Sequence, residues 1–298
     1  MSDPAAGQHP RGSDFDRLYD LDDPSPYFTA LRPLDYRMPA VLAGALEAMT
    51  TPLRAARGAG DVLKVLDFAC GYGAIGALLR HALTLPQLYA RYGERRWRPE
   101  EARRYWEADR AFFGARRRET PGFEIAGVDV AGAALAYAAA VGFVDRAFRE
   151  DLVERAPGDG LTRFLQGVDL VVESGALGHL LPEAFRRILD CGGAARGPWF
   201  LYGLRPDVDA ASLNGLWVER GFRIEALGAV PARYRKLSGE REWADVLRRT
   251  RALGRPDGAV RRDGYLLVEV TLVRPEADAE NPPIAELRRL AERAAAQP

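Results

Sequence analysis

Cysteine, histidine and lysine are all scarce in this chain of 298 residues. Two cysteines, Cys70 and Cys191, are too few for a disulfide framework, and they lack the paired spacing of a zinc site. Three histidines add little metal-binding capacity, so no metal is expected. Lys64 and Lys236 are the only lysines, and with abundant Ala and Gly the reliance on arginine reflects a GC-rich coding sequence more than chemistry. Net charge is also missing. The 42 basic residues balance 42 acidic ones, which removes the global positive field of a dedicated nucleic-acid binder. No apolar run is long enough for a membrane span, since the longest uncharged stretch, Val130 to Val144, is diluted by Ala and Gly. The opening MSDPAAGQHPRGSDFD has no apolar core, so no secretory signal is expected there, and the sequence reads as a cytoplasmic protein. At 47% hydrophobic and 28% charged, the composition is that of an ordinary folded chain with a real core.

From Asp14 to Pro39, turn formers mix with aromatics, which predicts an ordered, irregular lead-in followed by a helix over Ala40 to Met49. Val62 to Phe68 is a short apolar run ending at a small-residue loop, Ala69 to Gly76, and then a helical pattern over Ala77 to Leu83. Further strands are predicted at Glu124 to Val128, Val168 to Val172 and Trp199 to Leu204, separated by helical stretches such as Ala131 to Val141 and Pro182 to Asp190. Strands alternating with helices imply a parallel sheet covered on both faces. Phe222 to Leu227 and Tyr265 to Val273 form a late strand pair fit to close the sheet with an antiparallel edge, and a charged helix, Glu240 to Leu253, lies between them. Ile284, Leu287, Leu290 and Ala294 recur at helical spacing in the tail.

The sharpest feature is the stretch Val65 to Gly76, VLDFACGYGAIG. A strand running into glycines and then a helix lets a ligand approach backbone N–H groups that a Cβ would screen. Gly71 to Gly76 also fits the dinucleotide pattern G-x-G-x-x-G, a weak signal alone. Asp67 at the strand end opposes a pyrophosphate and suits a ligand carrying positive charge. The next acid at a strand end, Asp129, falls far beyond the roughly 20 residues of the dinucleotide fingerprint. Both features favour a cationic cofactor over NAD.

With Asp67, Ala69, Gly71 and Gly73, the chain resembles the class I S-adenosylmethionine-dependent methyltransferases, whose first motif is an acid followed by small residues at alternate positions. The departure is Ala69, where the family usually has glycine, and an alanine asks the backbone to avoid conformations only glycine tolerates. The resemblance continues in order over about Val62 to Val273. It implies that Asp129, next to Val130, accepts hydrogen bonds from the ribose hydroxyls, and that Asp151 and Leu152 meet the adenine. It also implies that Glu173 opens the loop bordering the transferring methyl group. The implied fold is α/β, a Rossmann-like seven-stranded, mostly parallel sheet with helices on both faces, an antiparallel last strand and a helical insertion after the first helix. The expected division is a disordered tail over 1–13, a lead-in or lid over 14–60, the methyltransferase-like domain over 61–275 with its insertion at 85–123, and a C-terminal helix over 276–298. Asp129 and Asp151 also suit helix caps, because Asp at a strand-to-helix turn accepts orphan N–H groups. Tyr72 suits either packing or a cation–π contact to a sulfonium, worth roughly 0.5–2 kcal/mol. Cys70 reads as a buried loop residue in the cofactor site, since methyl transfer needs no enzyme thiolate.

Methyl transfer is an in-line displacement on an activated carbon, so alignment supplies much of the catalysis. The candidates for a base or acceptor contact are His179 after the fourth strand, with a loop or capping role as the alternative, and Tyr202 with Arg205 at the end of the fifth. In the lead-in, Tyr19, Tyr27, Phe28 and Tyr36 are placed to fold over the cofactor, and Arg37 to pair with its carboxylate or remain on the surface. Within the insertion, ten arginines from Arg91 to Arg118 stand against five acids, interleaved with Tyr92, Trp97, Tyr105, Trp106, Phe112 and Phe113. That pattern fits a lid or acidic-substrate clamp, a partner-docking helix pair, or a helical hairpin with its aromatic face packed on the domain. The expected partner is a small-molecule acceptor, without nucleic acid or membrane, and a homodimer stays open. Three alternatives remain at this point: other uses of the same cofactor, such as aminocarboxypropyl transfer or cyclisation, a non-catalytic scaffold, and an NAD-dependent oxidoreductase.

Overall fold

A computed structural model describes residues 17–93, 95, 98–118, 122–176, 182–192 and 197–296. The tail expected over 1–13 and the candidate base His179 lie outside the described residues.

Ahead of the sheet, the described residues begin with a helical turn at 17–19 and include the longer helices α1 (Ser25–Leu31) and α2 (Met38–Arg57). The lead-in is therefore more regular than predicted. Helix α2 also runs past the predicted stop at Met49, because Pro52 loses only one amide bond while Leu42, Leu46, Met49 and Leu53 keep a single buried stripe. Gly58 ends it in the left-handed conformation, φ 62°. Strand β1 (Leu63–Phe68) follows, then α3 (Ala74–Arg80), and the insertion contributes α4 (Leu85–Gly93) and α5 (Ala102–Gly114). The alternating part continues with β2 (Phe123–Asp129), α6 (Gly132–Ala140), β3 (Arg146–Arg149), α7 (Asp159–Leu165), β4 (Leu170–Glu173), α8 (Pro182–Cys191), β5 (Trp199–Leu204) and α9 (Ala211–Glu219). The chain closes with β6 (Phe222–Ala226), β7 (Ala232–Lys236), α10 (Glu240–Ala252), β8 (Arg261–Arg262), β9 (Tyr265–Pro275) and α11 (Ile284–Ala296).

The strand order is β3-β2-β1-β4-β5-β9-β6. β1 to β5 pair in parallel, and β9 runs antiparallel between β5 and β6. The sheet has nine strands rather than seven, because β7 and β8 pair with the first residues of β9. Leu204, the last residue of β5, pairs with Glu269, so Tyr265–Val268 overhang the carboxyl end of the parallel strands.

Strand alternation divides the core. Leu63, Val65, Phe123, Ile125, Leu170, Val172, Trp199 and Leu201 pack against the lead-in, α2 to α6 and α11. Leu66, Phe68, Ala126, Val128, Val171, Phe200 and Tyr202 pack against α7, α8 and α9. Each fully buried aliphatic or aromatic side chain contributes roughly 1.5–3 kcal/mol. Asp67 and Asp129 share parity with the first set, so alternation directs both acids to the face covered by the lead-in and the insertion.

Candidate functional site

The carboxyl ends of β1, β2 and β4 bring Asp67, Asp129 and Glu173 to one edge. Asp67 is 1% exposed, and its Oδ2 is buried without a hydrogen-bond partner. Burial, and then the charges of Asp129 and Glu173, push its carboxyl well above the usual carboxylate range. Asp129 accepts the Gly71 N–H at 2.7 Å on Oδ2 and the Ala131 N–H at 2.8 Å on Oδ1. Burial raises its carboxyl, and those backbone donors hold it partly down. Glu173 Oε1 accepts the N–H groups of Gly175 and Ala176, folding the start of the next loop back over β4. Three desolvated acids, one with an unengaged oxygen, make a crevice suited to positive charge and hostile to a diphosphate.

The loop after β1 has residues 69, 71 and 73 all left-handed, at φ 54°, 51° and 73°. Ala69 therefore adopts the conformation that the sequence led us to exclude for an alanine. The Cys70 N–H to Val128 O contact of 3.4 Å and the bond from Gly71 to Asp129 hold the turn against β2, which outweighs a cost of about 1–2 kcal/mol. Close approach explains two further glycines. A Cβ at Gly76 would lie 2.2 Å from the Phe143 carbonyl oxygen, and one at Gly127 would lie 2.7 Å from Cys70 Sγ. The Cys70 thiol is pushed well up by burial and then by Asp67 and Asp129, so it is no nucleophile.

Other candidates are placed differently. Asp151 is a local cap, its Oδ1 accepting the Val153 and Glu154 N–H groups at 2.9 and 3.1 Å, while Leu152 is buried in the core beneath and Val130 is exposed. The Arg37 guanidinium is taken by Asp35, two residues back, and donates to the Tyr265 hydroxyl at 3.2 Å. It is not directed at the three acids. Tyr202, offered as catalytic, is 1% exposed; its hydroxyl accepts the Trp217 indole N–H at 3.1 Å, and its ring stacks on Phe185. That is a packing position. Arg205 likewise pairs with Asp207 at 2.8 Å.

The lead-in supplies what the resemblance only outlined. Tyr19 lies directly over Gly71, where a Cβ would meet its ring at 2.5 Å, and it contacts Tyr27 and Tyr72 with ring centroids 5.0 and 5.9 Å away. Burial and then neighbouring tyrosine charge raise the Tyr19 hydroxyl well above its ordinary value, with Asp129 adding to the rise. Tyr36 donates to the Ser174 carbonyl at 2.5 Å beside Gly175, and Tyr234 of β7 meets it edge-on at 5.3 Å. Sequence reasoning missed Tyr234, whose strand, ARYRK, is too charged to stand out.

No protein family matches the chain, and no curated protein matches it. Solved structures do resemble it. One is a TehB-like S-adenosylmethionine-dependent methyltransferase from Corynebacterium glutamicum, 15% identical, with 76% of this chain and 86% of that one covered and a TM-score of 0.37. Another is the magnesium protoporphyrin IX methyltransferase of Synechocystis with bound S-adenosylmethionine, 12% identical over 79% and 80%, TM-score 0.39. A third is the plantazolicin methyltransferase BpumL in complex with S-adenosylhomocysteine, 10% identical over 88% and 98%, TM-score 0.44. At these scores the likeness says nothing of substrate or mechanism, which must come from the chemistry of the crevice. The strand order, with antiparallel β9 between β5 and β6 and the acids at the carboxyl edge, is the Rossmann-like α/β arrangement expected from the sequence.

Proposed function

We propose that this chain is an S-adenosylmethionine-dependent methyltransferase acting on a small-molecule acceptor. The observation that carries the reading is the buried, partnerless Oδ2 of Asp67 among three carboxylates at the mouth of the left-handed loop. A buried acceptor of that kind is costly unless a cation meets it. The bound cofactor supplies a methyl group already activated on a sulfonium. Asp67 faces positive charge, the backbone of Ala69 to Gly73 allows close approach, and Asp129 keeps acceptor lone pairs for a diol beside its two backbone donors. Asp151 is the expected adenine contact. Tyr19 and Tyr27 exclude water from above, and Tyr36 with Tyr234 borders the loop after β4, where the acceptor is expected to align.

The NAD reading is disfavoured by the same acids, since a diphosphate at this loop would face Asp67 and Asp129 without any cation between them. Calorimetric titration is the first test: S-adenosylmethionine should bind and NAD should not. Incubation with methyl-labelled cofactor and a metabolite extract is the second. Labelled product with S-adenosylhomocysteine supports the proposal. Methylthioadenosine as the spent cofactor would overturn methyl transfer, and absence of cofactor binding would overturn the whole reading.

A further inference from the structure

The ten-arginine insertion has a job that can be assigned from its contacts. Residues 17–23 run across the glycine loop ahead of α1, and they place Tyr19 over Gly71. From α1 onward the lead-in is fixed by packing, with Phe28 stacked on Tyr92 of α4 at 4.5 Å and edge-on to Tyr89 at 5.7 Å. Residues 17–23 are held by the packing of Leu18 and Tyr19 and by polar contacts. The Tyr72 hydroxyl bonds the carbonyls of Leu18 and Leu21 at 2.5 and 2.8 Å. Two further ties come from the insertion. Trp106 of α5 donates its indole N–H to the Asp22 carbonyl at 2.5 Å, and Arg95 donates to Asp23 Oδ2 at 2.6 Å.

Arg95 is itself fixed. Its guanidinium also reaches Asp109 of α5 at 2.5 Å, and Asp109 takes Arg91 at 2.7 Å and the Tyr137 hydroxyl at 2.7 Å. Asp23 and Asp109 are fully buried, and the Arg95 side chain is 9% exposed. Two cations and two anions thus balance in a dry cluster anchored to α6 through Tyr137. A flexible surface arginine would pay side-chain entropy to reach Asp23, whereas this one is already ordered by Asp109.

We propose that the insertion is a clasp for the cofactor site: Arg95, as a positioning residue, and Trp106 seat residues 17–23 so that Tyr19 closes over the glycine loop, and release of the Arg95–Asp23 contact opens it. This rests on the cofactor assignment above for its consequence but not for the clasp itself. Tyr19 overlies the very loop that a ligand must reach, so entry and exit require residues 17–23 to lift from Tyr72, Trp106 and Arg95. The packed α1 and the Asp23–Pro24 junction mark where the movement stops.

The test uses Asp23→Asn combined with Trp106→Phe in the full chain. Asn keeps the Oδ1 acceptor that caps the Ser25 N–H at 2.7 Å, and Arg95 keeps Asp109, so the fold survives. Hydrogen exchange should quicken about tenfold or more in residues 17–23 and in the loop 69–73, with β4 unchanged. S-adenosylhomocysteine should dissociate about tenfold faster, and the rise in cofactor KM should exceed any fall in kcat. Arg95→Lys, which keeps the charge, should give a smaller effect than Arg95→Met. Unchanged exchange in residues 17–23 would overturn the clasp, as would faster exchange without faster ligand release. If the wild-type chain binds no S-adenosylhomocysteine, the cofactor assignment fails, and joint loss of protection in 17–23 and 69–73 still decides the clasp. Should the double variant unfold, Trp106→Phe alone, which frees only the Asp22 carbonyl, must show faster exchange in residues 17–23 or the proposal falls.

Discussion

Replacing Asp67 with Asn should make the empty protein more stable and its cofactor affinity worse. The carboxylate is 1% exposed, Oδ2 has no partner, and burial with Asp129 and Glu173 raises its proton affinity. A raised folded-state value means that the native protein binds this proton more tightly than the unfolded chain does. Its contribution is thus most favourable below the unfolded value near 3.8 and is lost as pH rises through the folded one. Once charged, the wild-type carboxylate carries the cost of a buried, partnerless acceptor, about 1–3 kcal/mol, and the amide removes it while offering N–H donors to the neighbouring acids. With about 2 °C per kcal/mol at this chain length, the variant should melt roughly 2–6 °C higher at pH 7.5, and the gap should close towards pH 4. Loss of a charge-assisted contact of roughly 1.5–3 kcal/mol should weaken S-adenosylmethionine by about 10- to 100-fold in calorimetry. Urea titrations at both pH values complete the experiment. A variant less stable than wild type at pH 7.5, or one with unaltered affinity, would refute the electrostatic reading of the crevice.

Four substitutions test other parts of the structure. Ala69→Gly relieves a left-handed alanine at φ 54° and should stabilise by about 0.5–1 kcal/mol after the entropy glycine loses on folding, read as a higher urea midpoint; a lower midpoint would show that the turn is unstrained. Gly76→Ala drives a Cβ to 2.2 Å from the Phe143 carbonyl and should cost about 3 kcal/mol, whereas Gly44→Ala in α2, with open space around it, should gain about 0.5–1 kcal/mol; equal effects would contradict the packing described. Tyr202→Phe leaves the Trp217 indole without its acceptor and should cost about 1–2 kcal/mol, with kcat held within about threefold; a hundredfold fall would return Tyr202 to catalysis.

How far the sequence reached depended on how local each cause was. The glycine loop and Asp67 were legible because they occupy consecutive residues whose backbone and charge requirements act over a few ångströms. Asp129 was legible because a strand end beside a small-residue helix start leaves few roles for an acid. β7 escaped notice, and β3 was implied only by the resemblance, because RAFR and ARYRK are short and charged, and much of what makes them strands is the partner edge that each one meets. Arg37 suits a cofactor carboxylate or the open surface on sequence alone, because nothing in its own sequence shows that Asp35, left-handed at φ 47°, turns its carboxylate back onto it. Chain separation decides the largest omission. Arg95 meets Asp23 across 72 residues, and Trp106 meets Asp22 across 84, so neither pairing leaves a periodic trace. What the sequence does contain is the parity of β1 and β2, which sends Asp67 and Asp129 to the face where the lead-in and the insertion pack. An acid pair on that face must be covered by whatever crosses it, and the aromatic lead-in and the arginine-rich insertion both pack there.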